Sequence, residues 1–83
     1  MNKFIKQLYS LNGKKIKIVT THKWFGRDEY RCELNLINDE KRIGFKIMNS
    51  EIYLFKNEVS VFGEAGGTFY FQDDLMEIIM VHI

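Results

Sequence analysis

The strictest constraint on this chain is an even/odd sorting of apolar and polar side chains between Tyr30 and Ile47. Over residues 29–37, Tyr30, Cys32, Leu34 and Leu36 share one parity, and Arg31, Glu33 and Asn35 share the other. Asn38-Asp39-Glu40-Lys41 is polar. Residues 42–48 then repeat the pattern, with Ile43, Phe45 and Ile47 on the apolar side and Arg42, Gly44 and Lys46 on the other. Side chains of a strand alternate across it with period two, whereas a helix gathers residues three and four apart. The pattern therefore predicts two strands with one dry side, joined by a hairpin loop of turn-forming residues.

The rest of the chain is read around that pair. In residues 2–11, Phe4, Ile5, Leu8 and Leu11 recur at helical spacing, with Asn2 placed to cap the start and Gly13 to stop the end. So short a helix is marginal alone in water, so it is expected to plug one end or face of a sheet. Residues 14–24 alternate again, with Ile16 and Ile18 opposite Lys15 and Lys17. Residues 52–55, and Val59, Val61 and Phe62, are apolar on both faces, as in strands covered on two sides; the docked helix is the expected second cover. Gly63-Glu64-Ala65-Gly66-Gly67 reads as a flexible connection, Thr68 to Phe71 as a short strand, and Leu75 to Ile83 as a last apolar strand. One helix precedes about five to six short strands, with no helical segment between them to cross over a parallel sheet. The expected fold is mainly β (α+β), a curled antiparallel meander or small SH3/Sm-like barrel packed on the short N-terminal helix, forming a single domain over 1–83.

Eighty-three residues supply little core, and seven Phe, four Tyr and one Trp supply much of it. Cys32 is alone, so no internal disulfide forms, and a reducing compartment is expected. No apolar run reaches membrane-spanning length, and Lys6 and Gln7 interrupt any signal-like segment, so a cytoplasmic location is expected. Lys, Ile and Asn make up 25 of the residues, a bias typical of A+T-rich genomes and their phages.

Chemistry is sparse. Cys32, His22 and His82 are too few and too scattered for a closed metal site, and no cofactor is expected. Cys32 lies on the apolar parity with Tyr30 and Leu34, where a cysteine packs rather than reacts. Ser60 is in no nucleophile motif, and Gly63–Gly67 lacks the Lys-Ser/Thr of a phosphate loop. The acids cluster in turns: Asp28-Glu29, Asp39-Glu40 and Asp73-Asp74. No catalytic residue is assigned, and the chain is expected not to be an enzyme.

One stretch stands apart. Residues 1–31 carry eight Lys/Arg against Asp28 and Glu29, a balance of +6, while residues 32–83 carry four against nine acids, a balance of −5. Within the basic part, Lys15, Lys17, Lys23, Trp24, Phe25, Arg27 and Arg31 combine aromatics with cations and form the candidate binding set. Trp and Arg anchor protein interfaces, and stacking aromatics among cations also bind single-stranded nucleic acid. Trp24 folded over the end of the sheet as core is the competing expectation.

A short N-terminal helix ahead of bent antiparallel strands resembles the build of Sm-like RNA-binding proteins, and Val59-Ser60-Val61-Phe62-Gly63-Glu64 resembles their second motif. Phe62 stands where that motif carries a basic residue before glycine, and the glycine of the second strand is missing, so no RNA-binding residue is carried across. The expected function is a non-catalytic protein-binding module, a small accessory or inhibitor protein of a phage or mobile element. The alternatives are a small-barrel binder of single-stranded nucleic acid and a protein that sequesters a small molecule or nucleotide. A protein partner leads, nucleic acid is second, and self-association through the C-terminal strand is a further expectation; no membrane partner is expected.

Overall fold

The computed structural model describes residues 2–83. Helix α1 (Asn2–Tyr9) precedes eight strands: β1 (Lys15–His22), β2 (Gly26–Glu33), β3 (Leu36–Asn38), β4 (Arg42–Ile47), β5 (Ser50–Phe55), β6 (Val61–Ala65), β7 (Thr68–Gln72) and β8 (Met76–His82). All pairings are antiparallel. They build a five-stranded sheet of order β2-β1-β8-β7-β6 and a three-stranded sheet of order β3-β4-β5. The cap expected from Asn2 concerns a side chain that lies outside the described ones.

The alternation read from the sequence holds across the Tyr30–Ile47 region except at Ile37 and Gly44, which are buried on the other parity. Leu34, Ile43 and Phe45 are buried, Tyr30, Cys32, Leu36 and Ile47 are half-buried against the same cluster, and Arg31, Glu33, Asn35 and Lys46 are exposed. What the pattern does not reveal is the break between β2 and β3. The Leu34 N–H donates to the Lys14 carbonyl (2.9 Å), and the Leu34 carbonyl accepts from the Gly13 N–H (2.9 Å). At the next residue, the Asn35 carbonyl accepts from the Lys46 N–H (2.9 Å), so the segment passes from one sheet to the other while its parity is kept. β1 has ended by then, and the Asn12 carboxamide replaces it by accepting the Leu36 N–H (2.9 Å).

Both sheets turn their apolar parity inward. Leu8, Ile16, Ile18, Ile43, Phe45, Phe71, Ile78 and Met80 are fully enclosed, and burying side chains of this size stabilises the fold by roughly 1.5–3 kcal/mol each. The helix docks as expected of it: Leu8 is buried, and the Phe4 ring lies 5.5 Å from that of Phe62, which stacks on Phe71 at 5.7 Å.

Four expectations are corrected. The sheets do not close into a barrel, because β5 leaves through a 3-10 turn at Lys56–Glu58 and β6 pairs only with β7. Of the two apolar segments expected to lie under the helix, it covers β6, where Phe4 meets Phe62. On the outer side of β5, Tyr53 instead lies under the Arg42 guanidinium, 4.9 Å from the ring centroid, and beside Phe55. Gly63 to Ala65 belong to β6 rather than to a flexible connection, since the Tyr70 ring opposite Gly63 occupies the space of the missing side chain; only Gly66 and Gly67, both at positive φ, make the turn. Finally, β8 is paired on both sides, with β1 and β7, so the C-terminal strand offers no free edge. Among the described residues no helix is long and apolar enough to cross a membrane.

Candidate functional site

The aromatic part of the basic stretch sits at the tip of the β1–β2 hairpin. His22 and Gly26 face each other across a three-residue connection, Lys23-Trp24-Phe25, with Gly26 at φ 86°. Glycine adopts that conformation without steric cost, which lets so short a loop close. Trp24 is 70% exposed and Phe25 82% exposed. The core expectation for Trp24 is therefore overturned: the inner face of β1 ends in His22, and the tip projects beyond the end of the sheet.

The tip is exposed but braced. His22 Nδ1 accepts the backbone N–H groups of Trp24 (3.1 Å) and Phe25 (3.3 Å), which requires an imidazole with its proton on Nε2. The imidazole packs against the Phe25 ring at 4.6 Å and the Trp24 ring at 5.9 Å. The Lys23 N–H donates to the Leu75 carbonyl (2.7 Å), tying the hairpin to the β7–β8 turn. That turn is itself fixed, since Asp73 Oδ1 accepts the N–H groups of Leu75 (2.8 Å) and Met76 (2.7 Å). Between the two turns lies an open groove of about 330 Å³ lined by Thr21, Lys23, Asp73, Asp74, Leu75 and Glu77 among others. The groove is bipolar, with a lysine from the hairpin on one side and carboxylates from the β7–β8 turn on the other.

The remaining candidates do not gather at the tip. Lys15, Lys17, Arg27 and Arg31 all lie on the outer face of β1 and β2, where Lys15 faces Glu33, Lys17 faces Arg31 and Thr21 faces Arg27. Arg31 Nε also pairs with Glu29 Oε2 at 3.3 Å. The cations of this face are therefore interleaved with Glu29 and Glu33, and only Arg27 and Lys23 lie near the aromatic pair in the chain. The acids that hide among turn residues in the sequence, Asp73, Asp74 and Glu77, are part of the same surface; nothing in their local pattern marks them, because β8 reaches β1 only through the tertiary fold.

The other reactive groups are kept apart. Cys32 faces Ile16, and Ile16 faces His82, so two strand spacings, about 9.5 Å, separate the backbones that carry the thiol and that imidazole. His22 is at the opposite end of β1. Burial pushes the Cys32 thiol up from its ordinary value, which reduces its thiolate fraction. Asp39 closes the β3–β4 turn: Oδ1 accepts the N–H groups of Lys41 (2.9 Å) and Arg42 (2.7 Å), and Oδ2 pairs with Arg42 Nε at 2.7 Å. The Arg42 guanidinium and these backbone donors hold its carboxyl below the usual range.

Compared with protein-family models, with curated proteins and with solved structures, the chain matches none.

Proposed function

We propose that the chain is a non-catalytic protein-binding module that docks through the β1–β2 hairpin tip, with Trp24 and Phe25 as anchors. The observation that carries this reading is the pair of adjacent large rings left in water on a backbone already braced by His22 and Leu75. A solvated indole and phenyl ring are costly unless covered, and pre-ordering the loop lowers the entropy lost when a partner covers them. Trp is among the residues that most often dominate interface energetics. The bipolar groove beside the tip favours a protein over a nucleic acid, because Asp73, Asp74 and Glu77 would repel phosphates where a polypeptide can place charges of both signs. A small inhibitor or accessory protein of a phage or mobile element is the form of module that this reading has in view.

A photoreactive phenylalanine analogue at position 25, expressed in the native host, tests it. The expected result is a discrete protein adduct that is lost on Trp24→Ala and not formed from the still more exposed position 48. A nuclease-sensitive adduct would replace the reading with nucleic-acid binding. Adducts of equal yield at positions 25 and 48 would remove the tip from consideration. With the partner in hand, Trp24→Ala is expected to weaken binding about thirtyfold or more.

A further inference from the structure

Among the described residues, β2 is an edge strand whose far side carries no neighbour until Asn35, where pairing with β4 begins. Which of its backbone groups face that edge follows from the ladder. Leu34 bonds toward β1 through both its N–H and its carbonyl. In an antiparallel pair the bonding direction alternates residue by residue, so Tyr30 and Cys32 also bond toward β1. The N–H and carbonyl groups of Arg27, Glu29, Arg31 and Glu33 therefore point outward, unpaired. These four residues also share the outer face, and they read Arg-Glu-Arg-Glu in order.

We propose that this edge pairs antiparallel with the same edge of a second copy, about a two-fold axis at Tyr30. In that register Arg27 faces Glu33 of the second copy and Glu29 faces its Arg31, and the symmetric pairs repeat the match. Every cross-strand pair on the outer face joins opposite charges, and the same residues form the hydrogen-bonded pairs, each exchanging both N–H···O bonds. A slip of the two-fold axis by one residue toward Glu29 or toward Arg31 sets Glu29 against Glu29 and Arg27 against Arg31, or Arg31 against Arg31 and Glu29 against Glu33. Charged edges usually block edge pairing; here the alternation blocks the two adjacent registers, and the one centred on Tyr30 matches all four outward residues.

The monomer supplies a second argument. On the outer face Lys17 sits directly opposite Arg31, a like-charge juxtaposition that the Glu29 carboxylate of the same strand, 3.3 Å from Arg31 Nε, offsets from one side. In the dimer, the Glu29 carboxylate of the second copy flanks Arg31 on its other side, so the row reads Lys17, Arg31, Glu29, Val19 across the joined sheets. Three of the seven residues of the basic stretch, Lys17, Arg27 and Arg31, thus have an explanation apart from the hairpin tip. The two Gly26 residues end up about 27 Å apart along the strands of a continuous ten-stranded sheet, with the tips beyond them at opposite ends. The interface is one strand wide, so the association is weak and concentration-dependent.

Sedimentation equilibrium over micromolar to millimolar chain tests the proposal, with circular dichroism confirming that each variant is folded. The wild-type mass is expected to rise toward twice 9.9 kDa. At high concentration the amides of Arg27, Glu29, Arg31 and Glu33 should gain protection from hydrogen exchange. Arg31→Glu, which sets like charges together twice, should weaken the dimer about tenfold or more. The double variant Glu29→Arg/Arg31→Glu should restore it, because the swap regenerates opposite pairs in the same register. A wild-type chain that stays monomeric at millimolar concentration overturns the proposal. So does a dimer indifferent to Arg31→Glu, or a folded double variant that remains monomeric. The dimer is read by mass and the tip by cross-linking to a partner, so failure of one is distinguishable from failure of the other.

Discussion

Gly44 and Gly63 both lie in strands, both are buried, and both face a tyrosine across the ladder, Tyr53 and Tyr70 respectively. Replacing each with alanine should nevertheless have opposite consequences. At Gly44 an added Cβ would collide with the Ile52 carbonyl oxygen and lie 2.5 Å from the Tyr53 Cα, both backbone atoms held in the β4–β5 ladder. At Gly63 the nearest atoms are the far end of the Tyr70 ring, 2.6 Å away, which can swing toward solvent. Overpacking a fixed site costs about 1–3 kcal/mol, and a collision with backbone belongs at the top of that range. A domain of this size has total stability of only about 4–12 kcal/mol, so Gly44→Ala removes a large part of it. At roughly 4–8 °C per kcal/mol, a loss of about 3 kcal/mol lowers the midpoint by about 12–24 °C. Gly63→Ala loses some ring contact but gains up to about 1 kcal/mol from reduced chain entropy, so its midpoint should move by only a few degrees. Thermal melts followed by circular dichroism measure both. A Gly44→Ala melt within a few degrees of wild type, or a larger loss for Gly63→Ala, would refute the packing described for the outer face of β4.

Three further outcomes follow from single residues. Met48 is 97% exposed at φ 53°, in a left-handed turn that costs an L-residue roughly 1–2 kcal/mol, so Met48→Gly should raise stability by about 1 kcal/mol in urea titration. Asp39 has its carboxyl pKa depressed in the folded state, so its contribution is complete above the unfolded value near 4 and disappears as pH falls through the folded value; Asp39→Asn should flatten that acid limb of the stability profile, and a carbon-13 NMR titration should place the Asp39 midpoint below that of an aspartate in a short peptide. Cys32, half-buried with a raised pKa, should alkylate more slowly than glutathione at pH 8 and reach the free-thiol rate only in denaturant.

The sequence made some of this legible and hid the rest for identifiable reasons. Alternation located the inner faces of β2 and β4, because parity survives the bend at Leu34-Asn35; it did not show the bend, which depends on Asn12 and Lys46 arriving from distant positions. The glycine at 63 looked like loop because its role is to accept the Tyr70 ring, and the cross-strand partner is invisible in a linear reading. β8 looked like a free edge because its composition is that of any apolar strand, whereas its place between β1 and β7 is set by topology alone. Lys15, Lys17, Lys23, Trp24, Phe25, Arg27 and Arg31 were recognisable as a set by composition. Their division into an exposed tip and a charge-alternating outer face needed the register of β1 on β2.

Because Trp24 is the sole tryptophan, its fluorescence reports on the hairpin tip alone. Collisional quenching by iodide and by acrylamide, compared between the folded chain and the chain in denaturant, measures whether the proposed anchor stands in water. The folded protein should emit at the wavelength of a solvated indole and quench nearly as readily as the unfolded one. A blue-shifted emission with several-fold weaker quenching, released only on unfolding, would put the ring in the core and contradict the docking site.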